Sequence, residues 1–196
     1  SKLKEEYGEE RAQAIFESLL QRNKASIRVT DLSRKEQIKA LLGASDSLLS
    51  PAGLVKEQGH FASHDFFSEG RITIQDESSQ LVAPTLELQG DEQVLDACAA
   101  PGGKTAHMAS YLTTGQVTAL DLYDHKLTLI QENAQRLGVA DRVQTQKLDA
   151  RKVHEFFGKD QFDKILVDAP CSGIGLLRRK PDIKYNKDTA DFTSLQ

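Results

Sequence analysis

The fold is decided by the stretch Asp96-Ala97-Cys98-Ala99-Ala100-Pro101-Gly102-Gly103-Lys104-Thr105. Residues 93–97, which lead into the loop, predict a β-strand, and residues 103–112 have the spacing of an amphipathic helix. Paired glycines at a strand-to-helix turn let backbone approach a ligand closely and aim helix N–H groups at it. The stretch therefore predicts a ligand-binding loop inside a βα unit.

The same alternation continues on the carboxyl side of this loop. Strands are predicted at 93–97, 116–121, 142–147 and 162–168, with helices at 103–112 and 124–137. Strands that alternate with helices of this length imply right-handed crossovers and a parallel sheet covered on both faces. We therefore expect an α/β domain over residues 76–196.

Residues 1–75 carry a different pattern, typical of a small α+β unit. A helical pattern over 7–20 precedes predicted strands at 27–30, 54–56 and 71–75. Ser33 and Glu36 have the spacing of a capping box, which predicts a helix start there, and Gly43 is suited to end that helix. We place the domain boundary after residue 75.

An acidic residue lies at or just beyond the end of each strand of the parallel sheet: Asp96, Asp121, Asp149 and Asp168. Such sheets bind ligands at this edge, and an acid about 20 residues beyond the glycine turn accepts ribose hydroxyls. Asp121 occupies that place, and Asp149 is positioned for an adenine amino group. No G-x-G-x-x-G fingerprint is present, which favours a nucleoside carrying a cation, such as a sulfonium beside Asp96, over a dinucleotide. The competing interpretation is that these acids only cap helices.

A second interpretation of the glycine loop is that it belongs to a P-loop NTPase. Gly103-Lys104-Thr105 fits the end of a Walker A motif, and residues 165–168 imitate a Walker B strand. Cys98, however, stands where the first Walker glycine is required. Pro101 also lacks an N–H in a loop whose task would be to donate N–H groups to phosphate.

Composition excludes several other classes. The 196 residues carry 25 basic and 29 acidic side chains, a net charge of −4, so nucleic-acid binding would need a local basic patch. Two cysteines make neither a disulfide framework nor a zinc site, and the i, i+4 pair His60 and His64 lacks the glutamate of a metal motif. No apolar run approaches the roughly 20 residues of a membrane span, and no secretory segment begins the chain. We expect a cytoplasmic protein with neither metal nor membrane.

A second motif, Asp168-Ala169-Pro170-Cys171-Ser172-Gly173, follows the fourth predicted strand. Together with residues 96–105 it resembles the RNA 5-methylcytosine methyltransferases that use S-adenosylmethionine, most closely the bacterial type acting on small-subunit ribosomal RNA. Residues 75–80 and 178–184 support the likeness. It implies a Rossmann-like class I methyltransferase sheet, preceded by an RNA-recognition-like subdomain.

The resemblance also implies an activity and its residues. The reaction is methylation of C5 of a cytosine in 16S ribosomal RNA, through addition of a cysteine to C6 of the base. The implied catalytic residues are Cys171, Asp168 and Lys104. The implied S-adenosylmethionine site comprises Cys98, Ala99, Ala100, Pro101, Gly102, Gly103, Lys104, Asp121, Asp149 and Asp168. A basic run is expected to contact RNA phosphates: Arg178, Arg179, Lys180 and Lys184.

In the family resembled, the attacking cysteine belongs to a later Thr-Cys motif, and the Pro-Cys thiol, here Cys171, helps release product. No such motif occurs up to Gln196. We therefore expect a fragment that lacks the nucleophile and is catalytically silent alone. A non-catalytic RNA-binding module that keeps the cofactor fold is a third interpretation, and the oligomeric state is undetermined.

Overall fold

A computed structural model describes residues 2–20 and 24–169 of the chain. Its first unit contains helices α1 (Lys2–Tyr7) and α2 (Glu9–Leu20). The predicted first helical segment is thus present, but it is interrupted at Gly8, whose φ of +77° lies in the left-handed region. Residues 25–169 form a separate compact unit that contains both sheets.

The first sheet of this unit is antiparallel. Its strands are β1 (Ala25–Val29), β2 (Ser45–Asp46), β3 (Gly53–Lys56) and β4 (Ile72–Ile74), in the order β2-β3-β1-β4. Helices α3 (Lys35–Leu42) and α4 (Asp65–Ser68) connect them. Its core consists of apolar side chains: Ile27, Val29, Ile38, Leu42, Leu54, Phe61 and Ile72. The predicted α+β pattern is present.

The start of α3 differs from the predicted capping box. The Asp31 carboxylate accepts hydrogen bonds from the backbone N–H and the hydroxyl of Ser33, at 3.0 and 2.6 Å. Ser33 is thereby drawn into a short 3-10 turn, Leu32–Arg34, and α3 begins only at Lys35 without a side-chain cap. The other end follows the prediction, since Gly43 terminates α3 with φ +57° and ψ +42°.

The second sheet is parallel, as predicted. Short helix α5 (Glu77–Gln80) leads into it, and its strands are β5 (Gln93–Asp96), β6 (Gln116–Asp121), β7 (Val143–Lys147) and β8 (Lys164–Leu166), in the order β7-β6-β5-β8. Its helices are α6 (Gly103–Ala109), α7 (Asp124–Arg136) and α8 (Val153–Phe157). The first and fourth strands are therefore neighbours, which brings their carboxyl ends together.

Two elements are shorter than predicted. Helix α6 ends at Ala109 rather than 112, because the N–H groups of Tyr111 and Leu112 bond three residues back, to Met108 and Ala109. Strand β8 spans only Lys164–Leu166 rather than 162–168, and it pairs with β5 over Val94–Asp96. The parallel sheet packs on its own apolar cluster, which includes Val94, Met108, Leu112, Val117 and Ala134. The antiparallel sheet ends at Ile74, and the parallel sheet begins at Gln93. The domain boundary after residue 75 stays a prediction.

Candidate cofactor and catalytic site

The loop between β5 and α6 is held by its own backbone. The Ala97 N–H donates to the carbonyl of Leu166 and the Ala99 N–H to that of Leu120, both at 2.9 Å. Gly102 donates to the Ala99 carbonyl at 2.8 Å and takes φ +100°. These three N–H groups are already used inside the protein, so they are not free to donate to a phosphate.

Asp96 lies beneath this loop and is 1% exposed. Its carboxylate accepts from the Thr105 hydroxyl at 2.7 Å and from the backbone N–H of Cys98. Burial raises the pKa of Asp96 to about 6, and the two hydrogen bonds oppose that shift. One side chain thus joins the beginning of the loop to the first turn of α6.

Lys104 and Asp168 form an ion pair across the carboxyl edge of the sheet. The lysine Nζ lies 2.5 Å from Oδ2 of the aspartate. Lys104 stands in the first turn of α6, and Asp168 follows β8, so strand adjacency brings together two residues 64 positions apart. Their side chains are 24% and 53% exposed, which leaves the pair accessible to a ligand.

A cavity of about 230 Å³ opens at this pair. The parallel-sheet part contributes lining residues from the loop and the strand ends: Asp96, Cys98, Ala99, Ala100, Pro101, Gly103, Lys104 and Asp168. The end of β4 and the segment after it contribute four more: Ile74, Gln75, Asp76 and Ser79. Sequence reasoning assigned no role to these last four residues. The only signal was that residues 75–80 belong to the stretches that carry the family likeness.

The Gln75 side of the cavity rests on a buried polar layer. Arg28, 3% exposed, donates through Nε to the side-chain oxygen of Gln75 at 2.8 Å. Gln80 donates to the Gln75 carbonyl at 2.9 Å, and the Gln75 amide donates to Ser79 at 3.3 Å. Burial lowers the pKa of Arg28 to about 10, so it remains charged at neutral pH. The Gln75 side chain is therefore fixed at the cavity wall.

The thiol of Cys98 faces an acidic environment. Burial, and then the carboxylates of Asp96, Asp121 and Asp168, raise its pKa above the usual value. A cysteine acts as a nucleophile through its thiolate, which this environment disfavours. Two of the four predicted strand-end acids, Asp96 and Asp168, line the same cavity as Cys98.

Asp121 and Asp149 have partners of their own. Asp121 accepts from the Tyr123 N–H at 3.2 Å, with the Lys126 ammonium 3.8 Å away. Asp149 accepts from the guanidinium and the N–H of Arg151, which lower its pKa to about 2. Neither lines the cavity described above. The Arg151 side chain is exposed, so a ligand would displace it at little cost.

Some predicted residues lie outside the described parts of the chain: Cys171, Arg178, Arg179, Lys180 and Lys184. Within residues 2–20 and 24–169, no cluster of histidine, cysteine and acidic side chains suits a metal ion. Over the same residues, no helix is both long and apolar enough to cross a membrane.

A parallel sheet in this order, with a glycine loop after its first strand and acids at its strand ends, defines a Rossmann-like methyltransferase of the S-adenosylmethionine-dependent class. Residues 83–196 match the family described as 16S rRNA methyltransferase RsmB/F, and the chain belongs to that family.

The chain is also similar to individual proteins. The chain is 54% identical over 139 residues to the probable ribosomal RNA small subunit methyltransferase B of Bacillus subtilis, covering 70% of this chain and 31% of the relative. The crystal structure of PH0851 matches with a TM-score of 0.88 at 29% identity, over 98% of this chain and 45% of that one. NSun6 from Pyrococcus horikoshii, solved with SFG, matches in fold with a TM-score of 0.82 at 21% identity, over 99% and 74%. The chain thus spans about a third of the length of its curated relative.

Proposed function

We propose that this chain is the cofactor-binding core of an S-adenosylmethionine-dependent methyltransferase that modifies C5 of a cytosine in 16S ribosomal RNA. The observation that carries the proposal is the Lys104–Asp168 pair at the mouth of a cavity whose floor is the loop 96–105. Family membership supports ribosomal RNA methylation in general. The choice of cytosine C5 rests on the two motifs that contain Asp96 and Asp168.

The residues around the loop fit S-adenosylmethionine. Gly103 lines the cavity, and a Cβ placed on it would meet no protein atom within 4 Å, so a ligand has room to approach the backbone. Asp121 is the acceptor for the ribose hydroxyls, and Asp149 is the acceptor for the adenine amino group once Arg151 moves aside. The carboxylates around Cys98 suit a positively charged sulfonium. When bound, the cofactor supplies an electrophilic methyl group.

Lys104 and Asp168 are the groups proposed to hold the target base. A cytosine in a stacked strand cannot reach them, so it must leave the stack first. Cytosine C5 is a weak nucleophile until a cysteine thiolate adds to C6. The raised pKa of Cys98 argues against that thiol as the attacking group. The proposal therefore requires a different cysteine in the intact enzyme, with RNA phosphates contacted by Arg178, Arg179, Lys180 and Lys184.

Calorimetric titration of the chain tests the cofactor assignment. S-adenosylmethionine should bind, and Mg-ATP at the same concentration should not, because Cys98 stands at the first Walker glycine and Pro101 has no N–H to donate. Binding of Mg-ATP alone would instead favour the P-loop reading. In the intact enzyme, transfer of a tritiated methyl group to 16S ribosomal RNA, followed by nucleoside mass spectrometry, tests the base and the position.

The role of Cys171 is tested separately in the intact enzyme. Cys171→Ala should retain methyl transfer but accumulate a covalent protein–RNA adduct, because product release is impaired. Gel electrophoresis under denaturing conditions detects the adduct. Loss of transfer without an adduct would make Cys171 the nucleophile instead.

Absence of any cofactor binding by the chain would favour a non-catalytic RNA-binding module.

A further inference from the structure

One face of helix α7 touches both the cofactor loop and the antiparallel sheet. Ile130, Asn133 and Arg136 follow at intervals of three residues, which places them along one side of the helix. A Cβ on Gly102 would lie 2.9 Å from Cα of Ile130, so the loop packs directly on the first of these residues. A Cβ on Gly70 would lie 2.0 Å from the carbonyl oxygen of Arg136, so the segment before β4 packs directly on the last.

Asn133 bonds the loop through its side chain. Its Nδ2 donates to the Pro101 carbonyl at 2.7 Å, while its Oδ1 accepts from Nη2 of Arg136 at 2.9 Å. A carbonyl only accepts and a guanidinium only donates, so just one orientation of the amide satisfies both partners. Asn133 is therefore held between the helix C-terminal turn and the loop.

Arg136 continues the connection to the antiparallel sheet. Its Nη1 donates to the carbonyls of Phe67 and Ile72, at 2.9 and 3.3 Å, and its Nη2 donates to the Thr73 hydroxyl at 3.2 Å. The guanidinium carbon lies 3.9 Å from the centroid of the Phe67 ring, within the range of a cation–π contact. Several contacts thus fix the guanidinium that orients Asn133.

We propose that Asn133 and Arg136 are positioning residues that fix the cofactor loop, at Pro101, to the edge of the antiparallel sheet. The connection runs from Phe67, Ile72 and Thr73 through the guanidinium and the amide to the loop carbonyl. This inference rests on the proposed function for its effect on S-adenosylmethionine. Its effect on the loop itself requires no ligand.

Three variants separate positioning from stability. Asn133→Ala removes both hydrogen bonds of the side chain. Asn133→Asp keeps an acceptor for Arg136, and even adds an ion pair, but no longer donates to Pro101. Gln131→Ala is the matched control, since Gln131 lies on the same helix and its amide donates to Thr145, away from the loop.

In the ligand-free chain, amide exchange of Cys98, Ala99 and Gly102 should rise at least tenfold in both Asn133 variants and not in Gln131→Ala. S-adenosylmethionine affinity should fall at least fivefold in the same two variants, although Asn133→Asp melts no lower than wild type. Arg136→Lys should show the loop effect of Asn133→Ala, and adding it to Asn133→Ala should bring no further loss.

The two measurements distinguish the possible failures. If loop exchange in both Asn133 variants stays within twofold of the control, the positioning role is overturned, whatever the cofactor does. If exchange rises as expected but the wild-type chain binds no S-adenosylmethionine, the proposed function fails while the connection stands. Affinity losses that only follow the melting temperature would reduce both residues to ordinary stabilising contacts.

Discussion

At the scale of single residues, the buried carboxylate of Asp96 is the unusual group of this site. It is 1% exposed and carries a pKa of about 6, although it accepts from the Thr105 hydroxyl and the Cys98 N–H. Desolvation therefore outweighs two good donors. The Asp96 carboxylate, which joins the two ends of the loop, therefore also makes the free energy of unfolding depend on pH.

This coupling has a definite sign. Because the pKa of Asp96 rises from 3.8 to about 6 on folding, the native state holds the proton more tightly than the unfolded chain. Its contribution to the free energy of unfolding is therefore complete below about pH 4 and is lost as the pH rises to about 6, a change of about 3 kcal/mol. Urea unfolding of wild type and Asp96→Asn between pH 4 and 7 measures it as the difference between the two curves.

Among the described residues, five exposed or hydrogen-bonded carboxylates have lowered pKa values and act in the opposite direction: Asp31, Asp46, Glu92, Asp124 and Asp149. These carboxylates are present in both wild type and Asp96→Asn, so their effect cancels when the two unfolding curves are subtracted. Parallel curves for wild type and Asp96→Asn over this range would contradict a pKa of about 6 for Asp96.

Under the proposed function, Asp121 accepts the ribose hydroxyls of S-adenosylmethionine. Asp121→Ala should weaken S-adenosylmethionine binding by about 1.5–3 kcal/mol, the usual loss for hydrogen bonds to a charged group. Isothermal titration measures the change. Asp141→Ala serves as the control, because Asp141 is an exposed acid in the turn Ala140–Arg142. Equal affinities with an intact fold would remove Asp121 from the ribose site.

At the scale of elements, helix α7 joins the two sheets through close backbone contacts. Gly70, with φ +72°, lies against the Arg136 carbonyl, and Gly102, with φ +100°, lies against Ile130. Glycine is required at both places because it accepts the positive φ and has no Cβ to clash. The position of α7 is thereby fixed relative to both neighbours.

Gly70→Ala should destabilise the chain more than Gly138→Ala. Both glycines have a φ near +70°, so each alanine takes on about 1–2 kcal/mol of left-handed strain. At Gly70 the new Cβ also meets a carbonyl oxygen at 2.0 Å, whereas at Gly138 nothing lies within 4 Å. Thermal or urea unfolding of the two variants measures the difference. Equal losses would mean that the contact with α7 relaxes freely.

At the scale of the whole unit, buried polar side chains connect the antiparallel-sheet part with the parallel-sheet part. Between the antiparallel and parallel sheets lie Arg28, Gln75 and Arg136, together with His107, whose pKa is lowered to about 3 by burial and then by Arg28. His107 is therefore neutral at physiological pH. The cavity lies beside this layer and takes lining residues from both sides.

Ligand binding should therefore slow hydrogen exchange in both the parallel-sheet part and the antiparallel-sheet part of residues 25–169. At a hundred times its dissociation constant, S-adenosylmethionine should stabilise the chain by about 2.7 kcal/mol. Hydrogen exchange should slow not only in residues 97–104 but also in β4 and α5, because Ile74 and Ser79 line the cavity. Exchange followed with and without the ligand tests this. Protection confined to the loop would indicate that the antiparallel side contributes nothing to binding.

Local sequence patterns predict the parallel βα arrangement, the loop at 96–105 and the strand-end acids. These are local properties, since periodicity, a glycine pair and an acid after a strand each involve a few neighbouring residues. The end of α3 at Gly43 has the same origin. Family motifs then connected Lys104 with Asp168, although local pattern alone could not say that their strands are adjacent.

The buried polar side chains and their contacts depend instead on the complete fold. Arg28 and Gln75 are 47 positions apart, Arg136 and Phe67 are 69 apart, and Asn133 and Pro101 are 32 apart. In the sequence these polar residues resemble those of any solvated surface. Asp31 likewise prevents the predicted capping box. Its carboxylate accepts from the Ser33 N–H, which the box would have paired with the side chain of Glu36. Such choices depend on the free energy of whole hydrogen-bond networks, which exist only once distant segments have come together.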